Sequence, residues 1–214
     1  MNGINVSMAL VDFIPVLLFS VSAVILARDL YNKMVKGAFA LLAAGAVMVL
    51  ISGLYKAAWK ILYALNICDF VALDLAFFPI QAPGFLLVFI SLIAMLTRKE
   101  KSSLPLCGVG MVPVYNSNLL FIVGQTLGCA GTQWLLFVIA RRMKRPLAMI
   151  LFITSFITML GMGYLSAKFD DSSTMHWIAQ FTNIVSQGAL LGGVMMLHKA
   201  GLYKPDALLG GLDG

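Results

Sequence analysis

Side chains able to bind a polar solute or do chemistry are scarce in this chain, but they are regularly spaced. The stretch "MHWIAQFTNIVSQGALLGG", residues 175–193, carries His176, Gln180, Asn183 and Gln187 at intervals of four, three and four. At about 100° per helical residue these four fall within a sector of roughly 60°. A second stretch, 118–140, places Asn118, Gln125 and Thr132 at intervals of seven, with Gly128 and Cys129 beside them. Amides left facing hydrocarbon would cost on the order of 2–7 kcal/mol each. Both stripes are therefore expected to face inward, towards each other or towards water. There they serve either as interhelical hydrogen bonds or as the lining of a cavity that receives a solute.

Two acids add to this set. Asp12 lies about one turn inside the first apolar run, and an acid buried in a membrane is a functional candidate unless its side chain reaches the headgroups. Asp74 and Gln81 share a helical face at i, i+7, within reach of Pro79 and Pro83 in "FFPIQAPG". The prolines remove two backbone donors and invite a kink or a break, whose freed carbonyls and amides can coordinate a solute.

Catalytic material is thinner. His176, Asp69, Asp74, Asp170 and Asp171 could supply acids or bases, but no HExxH, GxSxG, pair of Asp-rich motifs or phosphate-binding glycine loop occurs. Cys68, Cys107 and Cys129 stand apart, which supports neither a disulfide framework nor a cysteine metal site. His176 and His198 sit at opposite ends of one apolar run, an arrangement that argues against haem. No cofactor and no metal are expected.

The composition dictates what positions these residues. Of 214 residues, 61% are hydrophobic and 11% charged, with a mean hydropathy of +0.95. A soluble domain carries about 25% charged residues, so the solvent for this chain is lipid. The fold class is an all-α polytopic membrane protein, a single integral domain over 1–214 with a short tail at 206–214. Apolar runs predict six spans, at 8–27, from Gly37 to about Leu54, and at 71–97, 118–140, 147–166 and 175–197. The second run extends through "YKAAWKILYAL", where Lys56 and Lys60 are expected to snorkel to the interface. A seventh span over 57–80 is the competing count; it would have to bury Lys60, Asp69 and Asp74, at about 2.5–3.5 kcal/mol or more each. The first run has no Lys or Arg before it and reads as a retained span, not a signal peptide.

Under six alternating spans the basic residues divide seven against eight, and under seven spans nine against six, so the first count gives no orientation. A weak internal match places "ILARD" over "VIARR" at an offset of 113, and "APGFLL" over "SQGALL" at an offset near 104. Two three-helix halves, 1–103 and 104–205, of inverted orientation would account for that balance.

The net charge of +6 comes from basic residues at the ends of apolar runs, where they meet lipid phosphates, and no nucleic-acid partner is expected. The functional expectation is a small transporter-like or channel-like protein of a bacterial cytoplasmic membrane. It would bind a small polar or amphipathic solute near Gln125, Asn183 and Gln187, between the fourth and sixth spans. The alternatives are a membrane enzyme acting on a lipid-like substrate at the interface, and a non-catalytic sensor or assembly subunit. The lipid bilayer and the solute are the expected partners, with a second copy or another membrane subunit as a further one.

Overall fold

Without water, each backbone N–H and C=O has to be satisfied within its own segment, so apolar runs of this length fold as helices. The computed structural model describes residues 5–97, 118–167 and 173–204. It contains α1 (Val6–Val11), α2 (Phe13–Leu30), α3 (Lys36–Ala64), α4 (Val71–Leu75), α5 (Phe77–Leu96), α6 (Asn118–Arg142), α7 (Pro146–Ala167) and α8 (Ser173–Lys199). No strand occurs among the described residues. Four stretches, Val6–Lys33, Lys36–Ala64, Val71–Leu96 and Leu120–Arg142, are long and apolar enough to cross a membrane, and Pro146–Met162 is a shorter apolar helix. α8 has 27 residues but is not among the four; its polar stripe dilutes it. Large apolar side chains turn outward, Leu17 and Trp134 being 64% and 63% exposed, as suits a surface bathed in lipid. The chain is an α-helical integral membrane protein.

Helix ends follow local rules. α3, α6 and α8 close with one motif, in which the residue in the left-handed region returns its N–H three residues back and the next residue returns its own five back. The left-handed residues are Asn66 at φ 55°, Lys144 at φ 53° and Gly201 at φ 87°. Because α3 ends at Ala64 and the chain turns at Asn66, 57–80 is not one rod. The competing seventh span over 57–80 is therefore not a single helix.

Two of the rods are broken. α1 and α2 part at Asp12, with Pro15 three residues on, and α4 and α5 part at Ala76, with Pro79 three residues on. Neither proline can return an N–H to the preceding segment. The second break thus falls ahead of "FPIQAPG", and α5 continues through Pro83.

The helices form a closed ring in which α2 touches α3, α3 touches α5, and the contacts run on through α6, α7 and α8 back to α2. Their directions follow from side-chain pairs. Gly53 of α3 faces Val16 of α2, and Gly45 faces Gly84 of α5, so α3 runs against both. Gly124 faces Ala82 and Leu86, Gly128 faces Phe85 and Leu86, and Gly131 faces Phe89, so α6 runs parallel to α5. α7 runs against α8, with Phe152 beside Gly193. α8 runs parallel to α1 and α2, since Gln180 reaches Met8 and His198 reaches Asp29.

These directions correct the inverted relation expected of the two halves. α2, α3 and α5 alternate in the same sense as α6, α7 and α8, because the glycine row of α6 lets it lie close alongside α5 in parallel. The end of α5 and the start of α6 therefore stand at opposite ends of the bundle, as do residues 5 and 204. The charge balance changes with them. Arg28, Lys33, Lys36, Arg141, Arg142, Lys144, Arg145, Lys199 and Lys204 all lie at or near one end, nine of the eleven basic residues described.

A Cβ on Gly128 would stand 2.7 Å from the backbone of Phe85 and Leu86, whereas one on Gly188 would meet nothing within 4 Å. Gly128→Leu is expected to destabilise the bundle by about 1–3 kcal/mol or more, lowering the unfolding midpoint in nanodiscs. Gly188→Ala should leave that midpoint unchanged.

Candidate functional site

The two halves of the ring are filled differently. Towards the basic end, Leu30, Leu92, Leu136, Ile139, Phe152 and Leu197 are fully buried in a continuous apolar core. At the other end the ring surrounds a cavity of about 510 Å³. We call this the cup. All six rods contribute to it.

The cup gathers the sequence-derived candidates. From α8 come His176, Gln180, Asn183 and Gln187; from α6, Gln125; from α4 and α5, Asp74 and Gln81; and from the first break, Asp12. Asn118 opens α6, but its side chain lies outside the described residues. Thr132, further along the α6 stripe, is buried and donates to the Gly128 carbonyl at 2.7 Å. It lines a separate void of about 40 Å³ on the far side of Phe19 and Phe85. The cup is thus wider than a cleft between the fourth and sixth spans. The same-sense halves also bring Asp74 and His176 to one cavity, where an inverted pair would have held them apart.

Its charges come in pairs. Lys56 and Lys60, one turn apart on α3, face the cup and do not snorkel outward as expected. Lys60, 8% exposed, forms an ion pair with Asp12 at the α1–α2 break. Lys56 stands 3.6 Å from Asp74 and 4.5 Å from the centre of the Phe77 ring, a cation held by a carboxylate and an aromatic face. Trp59, also lining the cup, donates its indole N–H to Asp69 at 3.0 Å. The sequence signal for these pairs was numerical: Lys56 and Lys60 lie on one apolar helix face, and Asp12 and Asp74 lie beside proline-linked breaks.

The amides are held from behind. Gln180 donates its side-chain N–H to the Met8 carbonyl at 2.8 Å, which ties α8 to the last turn before the first break. Gln133, which the stripes did not include, donates to Ser155 Oγ at 2.7 Å; Ser155 in turn donates to the Ser186 carbonyl at 2.9 Å and accepts nothing from α5 or α2 among the bonds described. This knot joins α6, α7 and α8. Behind the cup wall, the side-chain carbonyl oxygens of Gln81, Gln125, Gln180 and Gln187 are closed off even from water and accept no hydrogen bond among the described residues. Unmet acceptors of this kind are rare in folded proteins. Among the described residues no three His, Cys, Asp or Glu side chains come together as a metal site, and Cys129 is buried in the packing between Val49 and Phe85.

No protein-family model, no curated protein and no solved structure matches this chain.

Removing one member of a buried ion pair leaves the other uncompensated and costs about 3–5 kcal/mol, whereas removing both costs far less. Lys60→Met is expected to lower the unfolding midpoint strongly, and Asp12→Leu combined with Lys60→Met should restore much of it. A double-mutant cycle with no coupling would mean that the pair does not hold the break.

Proposed function

We propose that this chain is a carrier-type membrane protein that binds a small polar or amphipathic solute in the cup. The supporting observation is convergence: Asp12, Asp74, Gln81, Gln125, Asn183 and Gln187 come from four separate rods to one cavity. Structural glue would need only pairwise contacts between neighbouring helices. The cup falls within the usual range of small-molecule sites, about 300–1,000 Å³. The packed apolar half beyond it supports a carrier over an open channel. Two three-helix units of the same sense around a central cavity suit the rocking motions by which carriers with parallel repeats alternate access. On this reading the six rods cross the membrane. By the positive-inside rule the basic end is cytoplasmic, and the cup faces the other side.

A second reading is favoured by one observation. Two carboxylates, two lysines and His176 line the same cavity, a set able to move protons in an enzyme that acts on a lipid-like substrate. Purified chain in vesicles would then convert a lipid with time, and Asp12→Asn or His176→Ala would stop the conversion; the carrier reading expects no product.

Single cysteines at Gln125, Asn183 and Gln187, with Cys68, Cys107 and Cys129 replaced, test the cup directly. A small membrane-impermeant thiol reagent should label them from the non-cytoplasmic side, and labelling should fall in the presence of a bound solute. Native Cys68, exposed beside the cup end, should label from that same side, and Lys144→Cys only from the opposite one. A folded protein that stays unlabelled at all three cup positions would leave a dry seam and no carrier.

A further inference from the structure

We infer that the solute is an uncharged amphiphile whose head accepts hydrogen bonds through carbonyl-type oxygens and donates none. This rests on the solute-binding reading above and narrows it. Three features of the cup wall select that class.

The first is the way the wall amides are turned. Gln81, Gln125 and Gln187 line the cup with the side-chain oxygen sealed from water and the side-chain nitrogen left open, without a hydrogen bond among the described residues. The reverse orientation would seal a group with two donors where one acceptor now stands, so the observed turn is the cheaper one. Asn183, on the same wall, has neither amide atom sealed or bonded. Gln180 does not join them, because its nitrogen already donates to Met8. The wall thus offers unspent N–H groups from α5, α6 and α8, and a solute that fits answers them with oxygens. One that cannot accept would leave these amides unpaired once water is expelled.

The second is charge. The formally charged side chains on the wall, Asp12, Asp74, Lys56 and Lys60, form two pairs and cancel. The Lys60–Asp12 pair is close and largely covered, whereas Lys56 and Asp74 stand 3.6 Å apart with about a third of each side chain exposed. That separation is longer than a charge-assisted hydrogen bond, so the Lys56 ammonium keeps N–H groups to give. A neutral carbonyl can accept from it while Asp74 stays alongside. A carboxylate in that place would stand beside Asp74 as a like charge, and a solute ammonium would stand beside Lys56. Either ion would have to break the pair or remain uncompensated in a low-dielectric space.

The third is the remaining wall. Phe19, Phe85, Phe156, Met159 and Leu160 supply an apolar surface that a purely polar head could not cover. Leaving it wet would forfeit about 25 cal/mol for each Å² of apolar area. A carbonyl-bearing head joined to a short apolar body satisfies both surfaces at once.

The test compares probes with one tail and different heads. Full-length protein in nanodiscs would be titrated with N,N-dimethyloctanamide, which accepts hydrogen bonds and donates none, with octanoate and with octylammonium, each below its micellar concentration. The unfolding midpoint is the readout. The dimethylamide is expected to raise the midpoint saturably and to bind about tenfold or more tighter than either ion, a difference equal to about one hydrogen bond from a desolvated donor. Gln125→Met and Gln187→Met keep the bulk and remove the donor; each should erase about that factor for the dimethylamide and leave octylammonium unchanged. If octylammonium binds best, the acceptor head is wrong, and if octanoate does, the uncharged class is wrong; solute binding stands in both cases. Equal binding of all three probes would mean that the amides do not read the head, which also overturns the proposal. If no probe shifts the midpoint, the solute-binding reading itself fails. The wild-type panel decides between these results even where a variant does not fold.

Discussion

Two lysines one turn apart on α3 cannot enter an apolar bundle unaccompanied, and the arrangement of the cup end follows from that constraint. A lone charge at a helix centre costs at least about 2.5–3.5 kcal/mol. Lys60 is answered by Asp12 and Lys56 by Asp74, and both acids sit where a rod is interrupted. Asp12 is the junction residue itself, and Asp74 lies in the last turn of α4. Both α1 and α2 pack on α3, so the residue between them, Asp12, meets Lys60 there. Gln180 completes the first break by donating to Met8. Charge pairing, helix breaking and one amide of the α8 stripe thus form a single local solution.

The second constraint is direction. α5 lies between glycines of two neighbours: Gly45 of α3 on one side, and Gly124, Gly128 and Gly131 of α6 on the other. Close approach replaces the hydrophobic driving force that lipid removes, and here it holds α5 and α6 in parallel. At the basic end, α2 is tied to α8 in parallel as well. His198 Nδ1 stands 2.9 and 3.0 Å from the two oxygens of the buried Asp29, and Lys33 donates to the Lys204 carbonyl. Both parallel seams put the starts of α1, α6 and α8 at one end. That is why the polar stripes of α6 and α8 meet the acids of the two breaks, and why the basic residues collect at the other end.

The inward faces were legible in the sequence because lipid penalises misplaced amides heavily. His176, Gln180, Asn183 and Gln187 could be assigned to one side of a helix by spacing alone, and Gln125, Asp74, Gln81 and Asp12 line the same cavity. Helix direction was not legible. Periodicity is identical whichever way a helix runs, so the glycines of α6 marked a close contact without saying with which neighbour or in which sense. Lys56 and Lys60 were misread for a related reason: a flexible four-carbon stem near a helix end can reach either headgroup or interior, and only the position of Asp12 and Asp74 in space decides. The break at Ala76 fell a turn earlier than the prolines suggested, because Pro79 disturbs the residues before it and not its own. Gln133 lay off both stripes, and its role needed Ser155 and Ser186 from two other helices.

The two halves of the ring also differ in what they can tolerate. In the basic half, side chains such as Leu92, Leu136 and Leu197 are fully enclosed, so the helices there are held by packing that a small displacement would disrupt. In the cup half the same helices diverge around space, and their spacing is kept by ion pairs and amide bonds that act at single points. Between them stand Phe19 and Phe85, edge to face with ring centres 6.2 Å apart, and Gln187; these three residues line both the cup and the 40 Å³ void. The boundary is therefore made of side chains and not of backbone. A packed half that fixes six helices lets the other half stay hollow without collapsing, and it positions Gln81, Gln125, Asn183 and Gln187 around one cavity on elements whose other ends are held by the core.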